Sequence, residues 1–301
     1  MRAIILGARG QLGSALAAAT PDATALSRTD LDITDADAVA AFDWSGHDTI
    51  LNAAAYTAVD AAETPEGRVA TWRANAVGPA NVARAARDHD LRLVHVSSEY
   101  VFDGTHDGPI PETTPLSPLS AYGASKAAGD VAVALAPRHY VVRTTWVIGA
   151  GGNFVRTMLG LAGRGISPAV VADQIGRPTF ATDLATGILT LLDGDAEPGT
   201  YNVTNTGEPV SWADVARAVY EHAGRPGSDV RDTSTAEYFA DKPTAAARPL
   251  NSVLDLDKAA KAGVVLPDWR RSLVEYLQVP AWARASVLAR TRPAIPASNA
   301  R

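Results

Sequence analysis

Short apolar runs alternate with Ala-rich stretches through the first half of the chain. Residues 2–6 (RAIIL), 23–26 (ATAL), 48–52 (DTILN), 91–97 (LRLVHVS) and 140–147 (YVVRTTWV) carry little polar alternation. That is the pattern of strands buried on both faces. Between them QLGSALAAA, ADAVAAF, GPANVARAARDH and SKAAGDVAVAL read as helices. Strand–helix alternation at this spacing predicts an α/β fold, a Rossmann-type doubly wound parallel sheet with helices on both faces.

After about residue 150 the rhythm changes. GGNFVRTMLGLAGRG is helical, residues 169–192 read as strand, loop and helix, and TYNVTN reads as a strand. Ser211 is placed to cap a helix over SWADVARAVYEHAG. Residues 225–250, rich in Pro, Thr and Ala, predict a long, partly ordered loop, and DWRRSLVEYL predicts a late helix. The expected organisation is a nucleotide-binding domain over 1–150, to which 176–203 returns, and a smaller C-terminal substrate-binding region from 151–175 and 204–285. Residues 286–301 lack periodicity and predict a disordered tail.

Composition removes several function classes. The 301 residues carry a net charge of -6, so no basic footprint for nucleic acid is present. There is no Cys, hence no disulfide, thiolate metal site or cysteine nucleophile. The six His are scattered without paired spacing, so no metal is predicted. No apolar run approaches membrane-spanning length. A strand and a Gly turn begin at the N-terminus, which predicts a cytoplasmic protein without a signal peptide. The NVT at 202–204 is then a chance match to a glycosylation pattern.

The first strand runs directly into ARGQLG, with Gly7, Gly10 and Gly13 opening a helix. Small residues let the backbone approach a pyrophosphate, and the helix N-terminus favours its charge. Gln11 and Leu12 lie inside this turn. An NAD site usually has an acid at the end of the second strand, but here that strand ends in Ser27 and Arg28. Arg28 accommodates a 2′-phosphate, so NADPH is expected, with NADH as the alternative. Arg9 is placed to help, and Asp32 and Ile33 suit the adenine edge. Asp32 also has the character of a helix cap.

Only four of the 27 basic residues are Lys, at 126, 242, 258 and 261. The single early one lies four residues after Tyr122, on the same face of a helix. A free Tyr has a pKa near 10, so moving its proton at neutral pH requires a shift worth roughly 4 kcal/mol. A nearby cation supplies part of that. A compact ammonium also suits ribose hydroxyls better than a planar guanidinium does. A surface Tyr and Lys would have the same spacing. Upstream, however, VHVSSEYVFDG closes the fourth strand with Ser97 and Ser98, at the end where ligands bind in parallel sheets. Ser98, Tyr122 and Lys126 together suit hydride addition to a ketone, with Tyr122 as proton donor and Ser98 steadying the oxygen.

With the glycine turn, these residues resemble an extended short-chain dehydrogenase/reductase. NAAAYTAVDAAE (52–63), SSEYVFDG (97–104), YGASKAAGD, RTTWVIGAGGNFVRTM (143–158), VVADQIGRPTFATDLA (170–185) and RPLNSVLD (248–255) resemble the dTDP-4-dehydrorhamnose reductase family from residue 1 to about 277. The resemblance implies NADPH-dependent reduction of the 4-keto group of dTDP-4-dehydro-L-rhamnose, the last step to dTDP-L-rhamnose, a precursor of cell wall polysaccharide. It implies Ser98, Tyr122 and Lys126 as catalytic, with Thr57, Tyr100 and Trp146 bordering the sugar. Asn153, Gln174 and Arg248 are implied at the nucleotide-sugar end, and Asn75 as a brace near the site. Ala53, Ala54 and Tyr56 are implied against the cofactor. Glu99 stands where the family usually has Asp, on the substrate side. Some members bridge subunits through a metal held by a carboxylate in the first helix. GSALAAAT has no acid, so no such metal is expected. A nucleotide sugar is the expected partner of a monomer or homodimer.

Two other functions share this fold. A nucleotide-sugar dehydratase would carry an Asp-Glu pair after the catalytic hydroxyl, where this chain has Glu99 and then Tyr100. A non-catalytic regulatory subunit of the methionine adenosyltransferase type resembles the family as well, and only turnover separates it.

Overall fold

The computed structural model describes residues 1–194 and 196–278. The tail expected at 286–301 lies outside the described residues.

The frame is a six-stranded sheet in which every pairing is parallel. It contains β1 (Ala3–Leu6), β2 (Thr24–Leu26), β3 (Thr49–Asn52), β4 (Arg92–Ser98), β5 (His139–Thr144) and an edge strand, Gly199–Asn202. The spatial order is edge, β5, β4, β3, β1, β2. From β1 the chain winds outward to β2 and then returns to the other side for β3. That reversal opens a crevice at the carboxyl ends of β1 and β3, where parallel sheets bind ligands.

The buried runs divide their side chains between two cores, as the period-2 geometry of strands requires. Ile5, Leu51, Val94 and Val142 meet Leu12 and Leu16 of α1 (Gln11–Ala19) and Leu184 and Ile188 of a helix at Ala181–Asp193. Their neighbours Ile4, Ile50, Leu93 and Val141 meet Val39, Val82 and Val133 on the opposite face. Those residues come from α2 (Ala36–Ala41), the helix Gly78–Asp88 and the helix Ala121–Val133. A third core, including Val155, Met158, Val219, Tyr220 and Trp269, belongs to the C-terminal elements. Ser211 caps the helix Trp212–His222 through a reciprocal bond set with Asp214, at the position expected from sequence.

Two expectations are corrected. The run at 140–147 is not one strand. β5 stops at Thr144, Trp146 takes a left-handed backbone conformation (φ 47), and Val147–Ile148 pairs with Thr179–Phe180 in a separate ladder. Both halves are apolar, so hydrophobicity alone hides the break. The region 225–250 is not a loop throughout. Arg231–Thr233 pairs with Ala169–Val171, and Ser234 with Glu237 caps a short helix at Thr235–Phe239. Short paired elements carry too few residues for periodicity to register.

Candidate active site

The glycine turn is shaped by what lies against it. Gly7 has φ +78, and a Cβ there would sit 2.7 Å from Ala54 Cα and 2.9 Å from the Ala53 carbonyl carbon. A Cβ on Gly13 would lie 2.1 Å from the Gly7 oxygen, so α1 is seated directly on the turn. Gly10 caps α1 without a side chain, which leaves the first-turn N–H groups facing the crevice. A bare turn, close backbones and an uncapped helix N-terminus fit a dinucleotide pyrophosphate. Gly7→Ala is expected to cost about 1–3 kcal/mol of stability, since both φ and contact oppose a side chain. A wild-type melting midpoint and NADPH affinity in this variant would refute that account.

The other cofactor candidates fall around this turn in different ways. Leu12 points into the core, so only its backbone faces the crevice. The Gln11 side-chain Oε1 accepts from the Gly149 N–H at 2.7 Å and ties the turn to the segment after β5. Arg28 is exposed and donates to Asp32 at 3.1 Å. Asp32 also accepts from Thr34 N–H at 3.0 Å, whereas the cap of α2 is Asp35. The acid nearest this strand end, Asp30, is held by the Ser27 backbone and hydroxyl. Ile33 is buried, and its carbonyl accepts from Asn81.

Asn75 is the brace beside this region. It lies in a π-helical turn, Arg73–Val77, that presents its side chain inward. It exchanges two hydrogen bonds with the Tyr56 backbone, at 2.8 and 3.0 Å, and donates to Ser125 at 3.1 Å. Thus one amide links the segment after β3 to the helix Ala121–Val133. Gly129 permits the approach, because a Cβ there would meet the Asn75 oxygen at 2.2 Å.

Ser98 ends β4, and Tyr122 and Lys126 share one helix, Ala121–Val133, whose N-cap is Ser120. Tyr122 packs edge-to-face on Tyr100, ring centroids 5.4 Å apart. Burial raises the Tyr122 pKa well above its ordinary value, the Glu99 carboxyl adds to the rise, and a hydrogen bond with Ser98 opposes it. Lys126 is 1% exposed. Its ammonium donates to the Val96 carbonyl at 2.6 Å and lies 3.4 Å from His95 Nε2. Burial lowers its pKa to about 8, with Asp130 pulling the other way. The expected lowering of the Tyr122 pKa by Lys126 is not found in this arrangement. The ammonium is turned to the β4 backbone, and burial of the phenol dominates.

Glu99 is also buried, and its carboxylate accepts from Ser98 Oγ at 2.6 Å. Burial raises its pKa to about 7 against the Ser98 bond. Beneath the site, Arg143 and Asp130 form a buried ion pair at 3.0 Å. Arg143 is the only formal cation paired with Asp130 by direct contact among the described residues.

The substrate-side candidates separate into two groups. Arg248 holds Asp60 with bonds of 2.8 and 2.9 Å and acts electrostatically on the Tyr100 phenol, so it borders the Tyr100–Tyr122 ring pair. Trp146, with its left-handed φ, stacks on Trp212 at 3.9 Å between ring centroids, and Gly176 leaves room for the indole. A bulky residue in that conformation is an outlier held by its surroundings. Asn153 and Gln174 are engaged elsewhere. Asn153 caps the helix Phe154–Gly163 and bonds Gly149 O and Tyr276, and Gln174 bonds Thr235. Thr57 is exposed in the segment after β3.

Several residues of the site escape sequence reasoning. His95 lies under Lys126 and is bonded to Asn52 at 3.2 Å. Burial, then Lys126, holds the His95 pKa well below the usual imidazole range, so the ring is neutral. Asp60 and Trp212 are brought in by contacts more than sixty residues away. Only Asp60 had a signal, its place inside the YTAVD stretch. Among the described residues, no group of three or more His, Asp or Glu stands together as metal ligands would, and no helix is long and apolar enough to cross a membrane.

The glycine turn, the strand-end Ser98 and the hydrogen-bonded, buried Tyr122 with Lys126 suit hydride transfer to or from a carbonyl carbon. That arrangement is of the class of dinucleotide-dependent oxidoreductases. Comparison with known proteins narrows the class. Residues 1–281 match the family model described as RmlD substrate binding domain, and the chain belongs to that family. It is 41% identical over 281 residues to a dTDP-4-dehydrorhamnose reductase of Mycolicibacterium smegmatis, covering 90% of this chain and 84% of that protein. It is 39% identical over 284 residues to a probable dTDP-4,6-dihydroxy-2-methyloxan-3-one 4-ketoreductase of Streptomyces antibioticus, covering 91% of this chain and 94% of that protein. The crystal structure of dTDP-4-dehydrorhamnose reductase from Bacillus anthracis in complex with NADP superposes with a TM-score of 0.84 at 35% identity, covering 92% of this chain and 98% of that one.

Proposed function

We propose that this chain reduces the 4-keto group of dTDP-4-dehydro-L-rhamnose to dTDP-L-rhamnose, with NADPH, as a cytoplasmic enzyme. The observation that carries the reading is the buried Lys126 one helical turn along from Tyr122, whose phenol is hydrogen-bonded to Ser98 at the carboxyl end of β4. The near-full-length similarity to dTDP-4-dehydrorhamnose reductases supports the substrate class. NADPH, when bound on the glycine turn, supplies the hydride. Tyr122 stays protonated in its buried site and gives its proton to the oxygen as negative charge develops there. Ser98 offers a second contact to the same oxygen. Lys126, which donates to the Val96 carbonyl here, would hold the nicotinamide ribose hydroxyls with its remaining ammonium donors when the cofactor is bound. Trp146 and Arg248 border the sugar nucleotide, Arg248 through its position beside the Tyr100 phenol.

The direct test is incubation with NADPH and enzymatically made dTDP-4-dehydrorhamnose, following NADPH absorbance and identifying the sugar. Formation of dTDP-L-rhamnose supports the reading, and NADPH oxidation with no rhamnose product would point to another 4-keto sugar. The Streptomyces antibioticus relative, named for a different 4-keto substrate, makes that second outcome specific. A regulatory binding subunit would give no turnover with any such sugar. A dehydratase would eliminate water from a nucleotide sugar, a step that needs both an acid and a base, and this chain has one carboxylate, Glu99, beside Ser98.

Arg28 tests the cofactor. It projects into solvent just after β2, paired among the described residues with Asp32 in an exposed contact. Arg28→Ala is expected to weaken NADPH by roughly 10- to 100-fold, the worth of one charge-assisted contact, and NADH by much less. Equal losses in titrations with the two cofactors would remove Arg28 from recognition of the 2′-phosphate.

A further inference from the structure

Ser98 has one hydroxyl proton, and both the Glu99 carboxyl and the Tyr122 phenol lie within its reach. Ser98 Oγ donates to Glu99 Oε2 at 2.6 Å and accepts from the Tyr100 N–H at 3.2 Å. A keto oxygen is an acceptor only. While Glu99 is a carboxylate, it competes with the substrate for the only proton that Ser98 can offer. A carboxylic acid at Glu99 reverses the bond: the acid donates to Ser98 Oγ, and the serine proton is released toward the substrate.

We propose that Glu99 is a positioning residue that works in its protonated form, donating to Ser98 Oγ so that Ser98 donates to the keto oxygen. This rests on the keto-reduction reading above. Hydride and proton accounting is unchanged: the carbonyl carbon takes the hydride, its oxygen takes the Tyr122 proton, and Glu99 and Ser98 keep theirs.

The setting of Glu99 supports this role. It opens the short 3-10 turn Glu99–Val101 after β4 and is 2% exposed. Among the described residues, no ion pair includes it, so no cation compensates a charge there. The helix Ala121–Val133 presents Tyr122, Lys126 and Asp130 to this region, with Lys126 engaged by the Val96 carbonyl. β4 contributes neutral His95 and β5 contributes Arg143, which is committed to Asp130. Tyr100 adjoins Glu99, and beyond it Arg248 is committed to Asp60. Burial accordingly raises the carboxyl pKa to about 7, where the acid form is well populated near neutrality. The sign follows: the donor chain is present below that pH and is lost as pH rises through it.

The test is the pH dependence of kcat/KM for the keto sugar, which reports the free enzyme. For wild type, a fall of roughly 5- to 10-fold between pH 6 and pH 7.8 is expected from titration of one group near 7. Glu99→Gln carries a permanent N–H donor to Ser98. Its profile should hold through that window and fall only as Lys126 loses its proton near 8. Glu99→Met, similar in size but without a donor, should be roughly 10-fold or more below wild type at pH 6. An unchanged limb in Glu99→Gln, or a flat wild-type profile, would overturn the proposal. A readout independent of turnover accompanies these. The infrared difference spectrum of wild type against Glu99→Gln should contain a protonated carboxyl band at pH 6 that fades by pH 8, and its absence at pH 6 would overturn the proposal by itself. Turnover with a flat profile sinks only the role of Glu99. A wild type inactive on every 4-keto sugar nucleotide sinks the reduction reading and this one with it.

Discussion

Tyr122→Phe should bind NADPH almost as wild type does and turn over 4-keto sugar roughly 10²–10⁴ times more slowly, the range for a positioned general acid. The phenol is buried, touches Tyr100 by its ring edge, and has its pKa raised by burial and by Glu99. Such a group holds its proton until a stronger base appears, and the alkoxide formed by hydride addition is one. Removing the hydroxyl leaves the ring packing in place, so folding and cofactor affinity are expected to survive. The measurement is single-turnover NADPH oxidation beside a cofactor titration. Near wild-type turnover would remove Tyr122 from the chemistry.

Lys126 answers to a steric and an electrostatic argument together. Its ammonium reaches Val96 O and lies beside a neutral His95 in a fully buried slot. Arg in that slot adds volume and a planar fork where a compact charge is seated, which overpacks the site. Lys126→Arg should lower turnover by on the order of 10-fold or more and weaken NADPH. Lys126→Met keeps the shape better but removes the charge, and its turnover should fall by roughly 10²-fold. The pH profile separates the two effects. Burial brings the Lys126 pKa to about 8, so wild-type activity should lose the ammonium as pH rises through that value. The Arg variant, which stays charged, should lose that limb while starting from a lower plateau. Unchanged kinetics and an unchanged profile in Lys126→Arg would mean that the scarcity of Lys in this chain is an accident of composition.

The sheet and the nucleotide turn were legible in the amino-acid sequence because each rests on local rules. A strand buried on both faces must be apolar throughout, and a turn with φ +78 pressed against Ala53 and Ala54 admits only glycine. The helical spacing of Tyr122 and Lys126 is likewise local, as is the Ser211 cap. What the tertiary structure decided depends on partners distant along the chain. It broke the 140–147 run at Trp146, where stacking on Trp212 and pairing with Thr179 outweigh the cost of a left-handed backbone. It ordered Arg231–Thr233 by supplying Ala169–Val171 as a ladder. It also turned Lys126 toward β4 and placed Glu99, rather than solvent, at the Ser98 hydroxyl. Sequence spacing determines which side chains share a face. Burial and the competition for each hydrogen atom, which decide what those side chains do, exist only once the elements are packed.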